Sequence, residues 1–494
     1  MRTDPVPSVE RPNILLLMSD QHNPHVIGCA GDSVVHTPNL DALASRGVRF
    51  ARAYCANPLC VPSRSTFLTA QRSSDIGVWY NQDVLPSHVP TIAHSLGAAG
   101  YETVLCGRMD FFGPDQWHGF EKRLVGDVSR AWPDEPHCLA EPVPPVAASQ
   151  TRKCLEFVGP GRTAYQAFDR DVTAAAIRYL EDHTRSAQRP FLLVVGYVLP
   201  HCPYICPRQL FEYYLDRVSV PRPSPEELSV LHPALLRRKE SSGEDSVPDE
   251  TARTARAAYY GLVTLIDEQV GKVLSALRRL RLDENTAVFY TSDHGDMAGE
   301  HGMWWKNLLY EGSVGVPLIA AFPGHFAEAA VVPNPVSLLD LAETLTALGN
   351  GPRLPQSRGR SLLPFLEGIG APDGWCDDVF AENGHRYDEP PSCMVVRGRW
   401  KLVHYHGWEV PQLFDLGDDP GETRDRASDP ALRSTREMLH ALAREGFDGA
   451  ALLRRYDLSV ARLDLIRQWA SCVRRAPLGP KWVPPQGCNV FPEA

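Results

Sequence analysis

The chain has 494 residues, and its 43% hydrophobic and 22% charged residues give it an ordinary globular composition. This length suits one large and one smaller domain. The formal net charge of −10 argues against nucleic acid as a partner, because phosphate recognition needs a basic face. It does not exclude an anionic small molecule, since a local positive site can lie inside an acidic protein.

The first ten residues contain no apolar run, so we expect no ordinary secretory signal. The apolar run at residues 14–18 is too short to span a bilayer. These features predict a soluble, cytoplasmic protein with no membrane partner. Most of its twelve cysteines should then be free thiols, as is usual in a reducing compartment.

Short apolar runs that end in polar residues alternate with helical patterns along the chain. This alternation predicts parallel strands joined by helical crossovers. Strands are predicted over residues 13–18, 103–106, 191–198, 287–291 and 317–322. Helices are predicted over residues 37–45, 63–70, 173–183 and 253–280.

Two segments depart from this alternation. Residues 220–252 are rich in proline, serine and charge, which predicts a surface excursion or a flexible loop. Towards the C-terminus, a pair of short strands at 392–406 is followed by a helix at about 429–445, a pattern typical of a smaller antiparallel subdomain. We therefore expect a catalytic domain over residues 1–370 and an antiparallel-sheet subdomain with a tail over residues 371–494.

Polar side chains follow four of the predicted strands. Ligands of open α/β sheets bind at the carboxyl ends of the strands, so residues that are distant in sequence are expected to meet there. The residues at these ends are Asp20, Gln21, Arg108, His201, Asp293 and His294.

Cys60 precedes the helical pattern at 63–70, with Pro62 in the first turn. The start of a helix presents backbone N–H groups and a positive dipole to an anion, and Arg64 adds a fixed cation one turn in. On these grounds alone, Cys60 is either a reactive thiol or a buried structural cysteine.

The string Cys60-Val61-Pro62-Ser63-Arg64 resembles the signature of type I sulfatases, a formylglycine-dependent family of the alkaline phosphatase superfamily. Further motifs follow in the family's order at residues 11–21, 37–47, 291–306 and 413–422. The resemblance implies an α/β fold, in which helices sandwich a mixed, mostly parallel sheet of the alkaline-phosphatase-like type. It also implies a smaller C-terminal α+β subdomain.

In that family the cysteine is oxidised to formylglycine by a formylglycine-generating enzyme, which would be a transient partner here. One hydroxyl of the hydrated aldehyde attacks sulfur, and the other later expels sulfate. The resemblance therefore implies that Cys60 is the precursor of the nucleophile and that the substrate is a small-molecule sulfate ester.

The resemblance also implies that Asp20, Gln21, Asp293 and His294 bind one divalent cation, with the formylglycine from Cys60 as a further ligand. Oxygen ligands suit Ca²⁺ or Mg²⁺, whereas an imidazole favours Mn²⁺ or another transition metal. We expect Ca²⁺ or Mn²⁺ without choosing between them.

Lys306 resembles the family lysine that holds the sulfate and the leaving oxygen, and His201 resembles the histidine that protonates the leaving group or contacts sulfate. Considered alone, Lys306 would be a solvated surface lysine. A zinc site of His201, Cys202 and Cys206 is a weaker alternative, because it lacks a fourth ligand.

The string Gly107-Arg108-Met109-Asp110 departs from the family's common Gly-Lys-x-His. Arg108 keeps the positive charge of the lysine but in a planar group, and with Arg64 it completes the predicted catalytic set. Asp110 is predicted to be a substrate-binding residue. Three roles are open for it: it orients Arg108, it faces a cationic part of the substrate, or it points away from the site. Residues 113–121 resemble the choline-sulfatase branch, whereas residues 481–488 do not.

A second departure lies at residues 68–72, where Leu-Thr-Ala-Gln-Arg replaces the family's Leu-Thr-Gly-Arg. This segment assists recognition by the modifying enzyme, so the extent of Cys60 conversion stays open.

Three functions remain open, in order of preference. The first is hydrolysis of a small organic sulfate ester, and the second is hydrolysis of a phosphonate monoester or phosphodiester at the same site. The third is non-catalytic binding on a sulfatase scaffold. The alcohol part of the substrate is not apparent from the sequence, although residues 125–165, residues 220–252 and the C-terminal tail are expected to shape its pocket. Whether the chain forms a homo-oligomer is equally open.

Overall fold

The computed structural model describes residues 11–129, 131–132, 139, 150–186, 189–229, 231–384, 389–473 and 481–490. The N-terminal segment on which the secretory prediction depends lies outside these residues, as does most of 130–149 within the predicted pocket loop. Across the described ranges, no helix combines the length and apolar character needed to cross a membrane.

Strands and helices alternate through the first two thirds of the chain. The strands are β1 (Asn13–Asp20), β2 (Val48–Tyr54), β3 (Glu102–Gly107), β4 (Lys122–Arg123), β5 (Gly159–Pro160), β6 (Phe191–Pro200), β7 (Ile205–Cys206), β8 (Thr286–Ser292), β9 (Gly315–Ala321), β10 (Ala330–Ser337), β11 (Asp378–Asn383), β12 (Ser392–Arg397), β13 (Trp400–Tyr405) and β14 (Gln412–Asp415). The helices are α1 (Pro38–Ser45), α2 (Cys60–Thr69), α3 (Ser73–Ile76), α4 (Ile92–Ala98), α5 (Ala164–Ser186), α6 (Arg208–Leu215), α7 (Pro225–Ser229), α8 (Pro233–Ser242), α9 (Asp249–Arg279), α10 (Glu311–Val314), α11 (Leu338–Leu348), α12 (Leu363–Leu366), α13 (Arg433–Ala443) and α14 (Gly449–Cys472).

The central sheet has eight strands in the order β10-β2-β9-β8-β1-β6-β3-β4. Strands β8, β1, β6, β3 and β4 are parallel to one another, and β10 is parallel to β2. Strand β9 runs antiparallel to both of its neighbours, β2 and β8. The expected fold class, a mixed and mostly parallel sheet, is therefore confirmed.

Helices cover both faces of this sheet, as alternate residues of β1 indicate. Leu15 and Leu17 belong to a core that includes side chains of α5 and α9. Ile14, Leu16 and Met18 belong to a second core with α2, α4 and α11. Because both faces are buried, β1 is a continuous apolar run that ends in polar residues at the carboxyl edge.

The five predicted strands all exist, but β2, β4 and β10 of the same sheet were not predicted. It also treated residues 317–322 as part of a parallel pattern, whereas β9 is antiparallel. Direction is not visible in such a segment, because a strand that is buried on both faces reads as an apolar run in either direction.

The prediction of an excursion or flexible loop at residues 220–252 is wrong for its centre. Helix α8 forms there and buries Ala234, Leu235 and Arg238 against the rest of the molecule. Its N-terminus is capped by the side chain of His232, and Gly243 ends it in the left-handed conformation. The polar composition of the segment concealed this short amphipathic helix.

The C-terminal part contains an antiparallel four-stranded sheet in the order β11-β12-β13-β14. Helix α13 packs on it through Leu439, beside Val395 and Leu402. This confirms the expected smaller α+β subdomain, and α13 lies within the predicted helix at 429–445. The sequence reasoning did not anticipate α14, which begins after the capping side chain of Asp448.

Candidate active site

The predicted site residues meet at the carboxyl edge of the central sheet. Asp20 ends β1, Asp293 follows β8, and these two strands are adjacent and parallel. Cys60 is the first residue of α2, so its position at a helix N-terminus matches the expectation. The side chain of Cys60 is buried, with 2% of its surface exposed.

Four of the predicted metal ligands converge. Ligand atoms of Asp20, Cys60, Asp293 and His294 all lie within 4.8 Å of one another, a spacing that one ion can bridge. Nδ1 of His294 lies 2.9 Å from the carbonyl oxygen of Gly295. That contact fixes the ring and leaves Nε2 facing the two carboxylates, at 3.7 Å from Asp20 and 3.6 Å from Asp293.

Gln21, the fifth predicted ligand, adopts a left-handed backbone with φ 69°. Its backbone N–H donates to Oδ1 of Asp293 at 3.1 Å, and its side-chain amide donates to Asp296 at 2.6 Å. These bonds leave Gln21 Oε1 buried without a hydrogen-bond partner among the described residues, and Asp20 Oδ1 also accepts no hydrogen bond there. Unpaired buried oxygens are costly unless a further group binds them, so this donor set fits a hard divalent cation.

Asp296 is a site residue to which the sequence reasoning gave no role. Its carboxylate accepts from Gln21, from the hydroxyl of Tyr204 at 2.6 Å and from the backbone N–H of Ala298 at 2.7 Å. It therefore fixes the orientation of Gln21. Its position three residues after Asp293 in the same motif was the available signal.

Arg64 lies behind the carboxylates and does not form an open anion site. Its guanidinium donates to Asp293 at 2.9 Å and to Asp20 at 3.1 Å, and it is 1% exposed. A third bond reaches the carbonyl oxygen of Arg108 at 3.1 Å. With these partners, Arg64 orients both carboxylates, which differs from the direct catalytic contact expected of it.

Cations surround the sulfur of Cys60. Nζ of Lys306 lies 2.9 Å away and Nε2 of His294 lies 3.4 Å away, and His201 also bonds to the thiol. Burial and Asp20 raise the pKa of the Cys60 thiol, but Lys306 and His294 outweigh them and hold the pKa well below its usual range. The site therefore stabilises negative charge at this position.

Lys306 is not a solvated surface lysine, because only 1% of it is exposed. Arg238 of α8 donates to the carbonyl oxygens of Lys306 and Trp304, each at 3.2 Å. Arg238 also pairs with Glu244 at 3.2 Å. The sequence predicts a surface excursion or a flexible loop over residues 220–252 and so gives no indication of this support.

Asp110 points at Arg108, so the geometry favours the first of its three expected roles. Oδ2 of Asp110 lies 2.7 Å from Nη2 of Arg108, whose Nε lies 2.8 Å from Asp20. The turn is held by Asp127, which accepts from the backbone N–H groups of Met109 and Asp110. Burial raises the pKa of Asp110 to about 6, although Arg108 acts in the opposite direction.

His201 lies beside Cys60 and does not form the zinc site that was the weaker alternative. Its Nδ1 is 2.6 Å from the carbonyl oxygen of Cys202, while the thiol of Cys206 bonds to the carbonyl of Pro207. Among the described residues, the cluster of side chains that could hold a metal ion is the one that contains Asp20. It includes neither Cys202 nor Cys206.

The altered segment after α2 has a structural consequence. Ala70 caps α2 in the left-handed conformation, with φ 53°, at the position where the family commonly has glycine. An L-residue adopts this conformation at some cost, so the departure seen in the sequence falls on a position where glycine is the easier residue.

Known proteins share this architecture. The sulfatase family profile matches residues 12–351, and the profile described as N-sulphoglucosamine sulphohydrolase, C-terminal, matches residues 299–445. The chain is 34% identical to the choline-sulfatase of Rhizobium meliloti over 437 residues, which cover 85% of this chain and 83% of that protein. It is 30% identical to arylsulfatase K of Danio rerio over 442 residues, 85% and 81% of the two chains.

Among solved structures, the phosphonate monoester hydrolase of Agrobacterium radiobacter superposes with a TM-score of 0.73 at 26% identity, and the match covers 89% of this chain and 96% of that one. Fold and site together define a hydrolase of the alkaline-phosphatase-like class. The chain belongs to the sulfatase family, in the branch of choline-sulfatase and the phosphonate monoester hydrolases. This confirms the family resemblance predicted from the motifs.

Proposed function

We propose that this protein hydrolyses a small organic sulfate ester through formylglycine at position 60 and one divalent cation. The observation that carries the proposal is the meeting of Cys60 with Lys306, His294 and two carboxylates in one buried cluster. An anionic ester that approached Cys60 would find cations on several sides. Electrostatic stabilisation of this kind is often the largest part of catalysis.

The divalent ion would be held by Asp20, Gln21, Asp293 and His294, and when bound it supplies charge compensation and polarises the group at position 60. Formylglycine would supply a nucleophile with a built-in release step. The donor set mixes oxygens with one imidazole, so Ca²⁺ and Mn²⁺ remain the proposed ions.

Each of this chain's own residues has a proposed task. Lys306 binds the sulfate oxygens of the substrate next to position 60, and Arg108 binds the sulfate oxygens that lie further from position 60. His201 donates a proton to the leaving oxygen, since its ring is buried against the Cys60 sulfur. Arg64 and Asp296 act as positioning residues, because their bonds run to the proposed ligands.

A second candidate is hydrolysis of a phosphonate monoester or phosphodiester at the same site. The similarity to the phosphonate monoester hydrolase of Agrobacterium radiobacter supports it, and so does the planar guanidinium of Arg108, which suits both sulfate and phosphate oxygens. The named sulfatase relatives argue against the non-catalytic alternative.

Several expectations stay proposals. They are the formylglycine-generating enzyme as a transient partner, the cytoplasmic location, and the division at residue 370. Steady-state hydrolysis of a matched aryl sulfate, phosphonate monoester and phosphodiester, with converted enzyme and added metal, ranks the two activities. The proposal predicts the highest kcat/KM for the sulfate. A higher value for the phosphonate would transfer the assignment to the second candidate.

A further inference from the structure

A cleft of about 990 Å³ lies beside the active site. One of its walls is formed by α14, and the other by residues 80–84 together with Phe112 and Trp132. Leu59, the residue before Cys60, lines it as well, and Phe112 is two residues from Asp110. The cleft is therefore lined by chain neighbours of Cys60 and Asp110, and its lining residue Asn81 accepts a hydrogen bond from the backbone N–H of Val61 at 3.1 Å. Its volume suits a ligand of drug-like size.

Arginines give the α14 wall a positive character. The cleft is lined by Arg454, Arg455, Arg462 and Arg467, whereas Asp83 is the one acidic group among the described lining residues. Arg455 lies 3.7 Å from Asp83, and Arg467 lies 3.0 Å from Asp464, so both of these charges are balanced.

Two cations of the cleft, Arg454 and Arg462, lack an acidic partner among the described residues. Within the described part of the chain, no carboxylate forms an ion pair with Arg454 or Arg462. They stand eight residues apart on α14, with Leu458 midway, so all three share one helical face over about 12 Å of helix axis. That face of α14 therefore presents a cation, an apolar side chain and a second cation, in that order along the helix axis.

Aromatic rings line the cleft together with this cationic face. Phe112 and Trp132 stack with centroids 5.9 Å apart and planes 18° apart. Tyr80 and Tyr456 meet edge to face at 5.4 Å. Stacked and edge-to-face rings provide flat apolar surfaces that suit another ring.

We propose that this cleft binds the leaving alcohol of the sulfate ester, and that it selects alcohols with a flat apolar ring and a second negative charge such as a carboxylate. The inference rests on the proposed function and deepens it. A ring satisfies the aromatic lining, and a carboxylate compensates Arg454 and Arg462. A compact cationic alcohol would leave most of the volume empty and would face two unpaired positive charges.

The test compares two naphthyl sulfates that differ in one ring substituent, a carboxylate or a primary carboxamide. We expect converted wild-type enzyme to prefer the carboxylate, measured as the ratio of the two kcat/KM values at low salt. The double variant Arg454→Gln/Arg462→Gln should lower this ratio about tenfold, and Arg454→Lys/Arg462→Lys should retain most of it. Arg185→Gln, which removes an exposed positive charge outside the cleft, should not change the ratio.

An unchanged ratio in the double glutamine variant would overturn the inference while leaving the proposed function intact. Equal losses on both substrates, accompanied by a change of oligomeric state in size-exclusion chromatography, would also overturn it, because the cleft would then be an interface between copies of the chain. If converted wild-type enzyme hydrolyses neither sulfate with metal present, the proposed function fails, and this inference fails with it.

Discussion

The ammonium of Lys306 lies 2.9 Å from the sulfur of Cys60, and both groups are buried. The contact joins the first residue of α2 to a segment 246 residues further along the chain. A buried cation is costly unless an anion compensates it. The pair therefore indicates that negative charge is stabilised at position 60. The predictions below follow from that arrangement.

Replacing Lys306 with methionine removes the cation but keeps a side chain of similar length. We expect kcat for an aryl sulfate to fall by about a hundredfold, as when one preorganised donor is lost from an oxyanion site. Steady-state kinetics on preparations with equal conversion of Cys60 checks this. Lys272→Met, at an exposed position on α9, is the control, and a Lys306 variant that retained a third of wild-type kcat would contradict the assigned role.

Arg238→Met tests the support that α8 gives to Lys306. The substitution leaves the buried carboxylate of Glu244 without its cation and two carbonyl oxygens without a donor, so we expect a loss of about 3 kcal/mol in the free energy of unfolding. Urea titration measures it. The adjacent exposed Arg237→Met should cost less than about 1 kcal/mol, and equal losses in both variants would refute the special role of Arg238.

Asp110→Asn tests the charge next to Arg108. Burial raises the pKa of Asp110 to about 6, so the carboxyl is neutral below that pH and charged above it. The charged form competes with an anionic substrate for Arg108, whereas asparagine does not titrate. We expect the ratio of variant to wild-type kcat/KM to be near one at low pH and to rise about tenfold through pH 6.

The pH profile of this ratio, measured on one sulfate ester from pH 5 to pH 8, gives the result. Asp182→Asn, which alters an exposed carboxylate on α5, should show a flat ratio over the same range. A flat ratio for the Asp110 variant as well would remove Asp110 from the control of substrate binding.

Metal binding can be tested without activity. Added Ca²⁺ or Mn²⁺ at a hundred times its Kd should increase the free energy of unfolding of the wild type by about 2.7 kcal/mol. Asp293→Asn should lose most of this gain, since the carboxylate contributes to the ligand cluster. Thermal unfolding with and without metal measures both proteins. An undiminished gain in the variant would show that the ion binds elsewhere.

The sequence was sufficient to predict which residues meet. Asp20 and Asp293 each follow an apolar run, and the carboxyl ends of parallel strands share one edge of a sheet. A helix after Cys60 was also predictable, over residues 63–70, because Pro62 and the following pattern indicate a helix start; the observed helix begins three residues earlier, at Cys60. Both signals are local, because they depend only on residues that are close together in the chain.

Other features depend on contacts between distant segments and were not predictable. The direction of β9 is set by its neighbours β2 and β8, and its apolar run carries no mark of that direction. Arg238 lies in a polar, proline-containing segment, and the partners of its buried guanidinium include Glu389 and the carbonyl oxygens of Trp304 and Lys306, all distant in sequence. The ion pair between Arg108 and Asp110 depends on the left-handed backbone at Asp110, with φ 59°, which the amino-acid sequence alone does not reveal.

The central claim is that Cys60 becomes the nucleophile of a sulfatase. Its most direct test pairs peptide mass spectrometry of the Cys60 segment with turnover of an aryl sulfate, across preparations made with increasing amounts of a formylglycine-generating enzyme. We predict that kcat rises in proportion to the fraction of Cys60 converted to the aldehyde and that Cys60→Ala shows no turnover. Turnover that is independent of conversion, or that persists in Cys60→Ala, would contradict the claim.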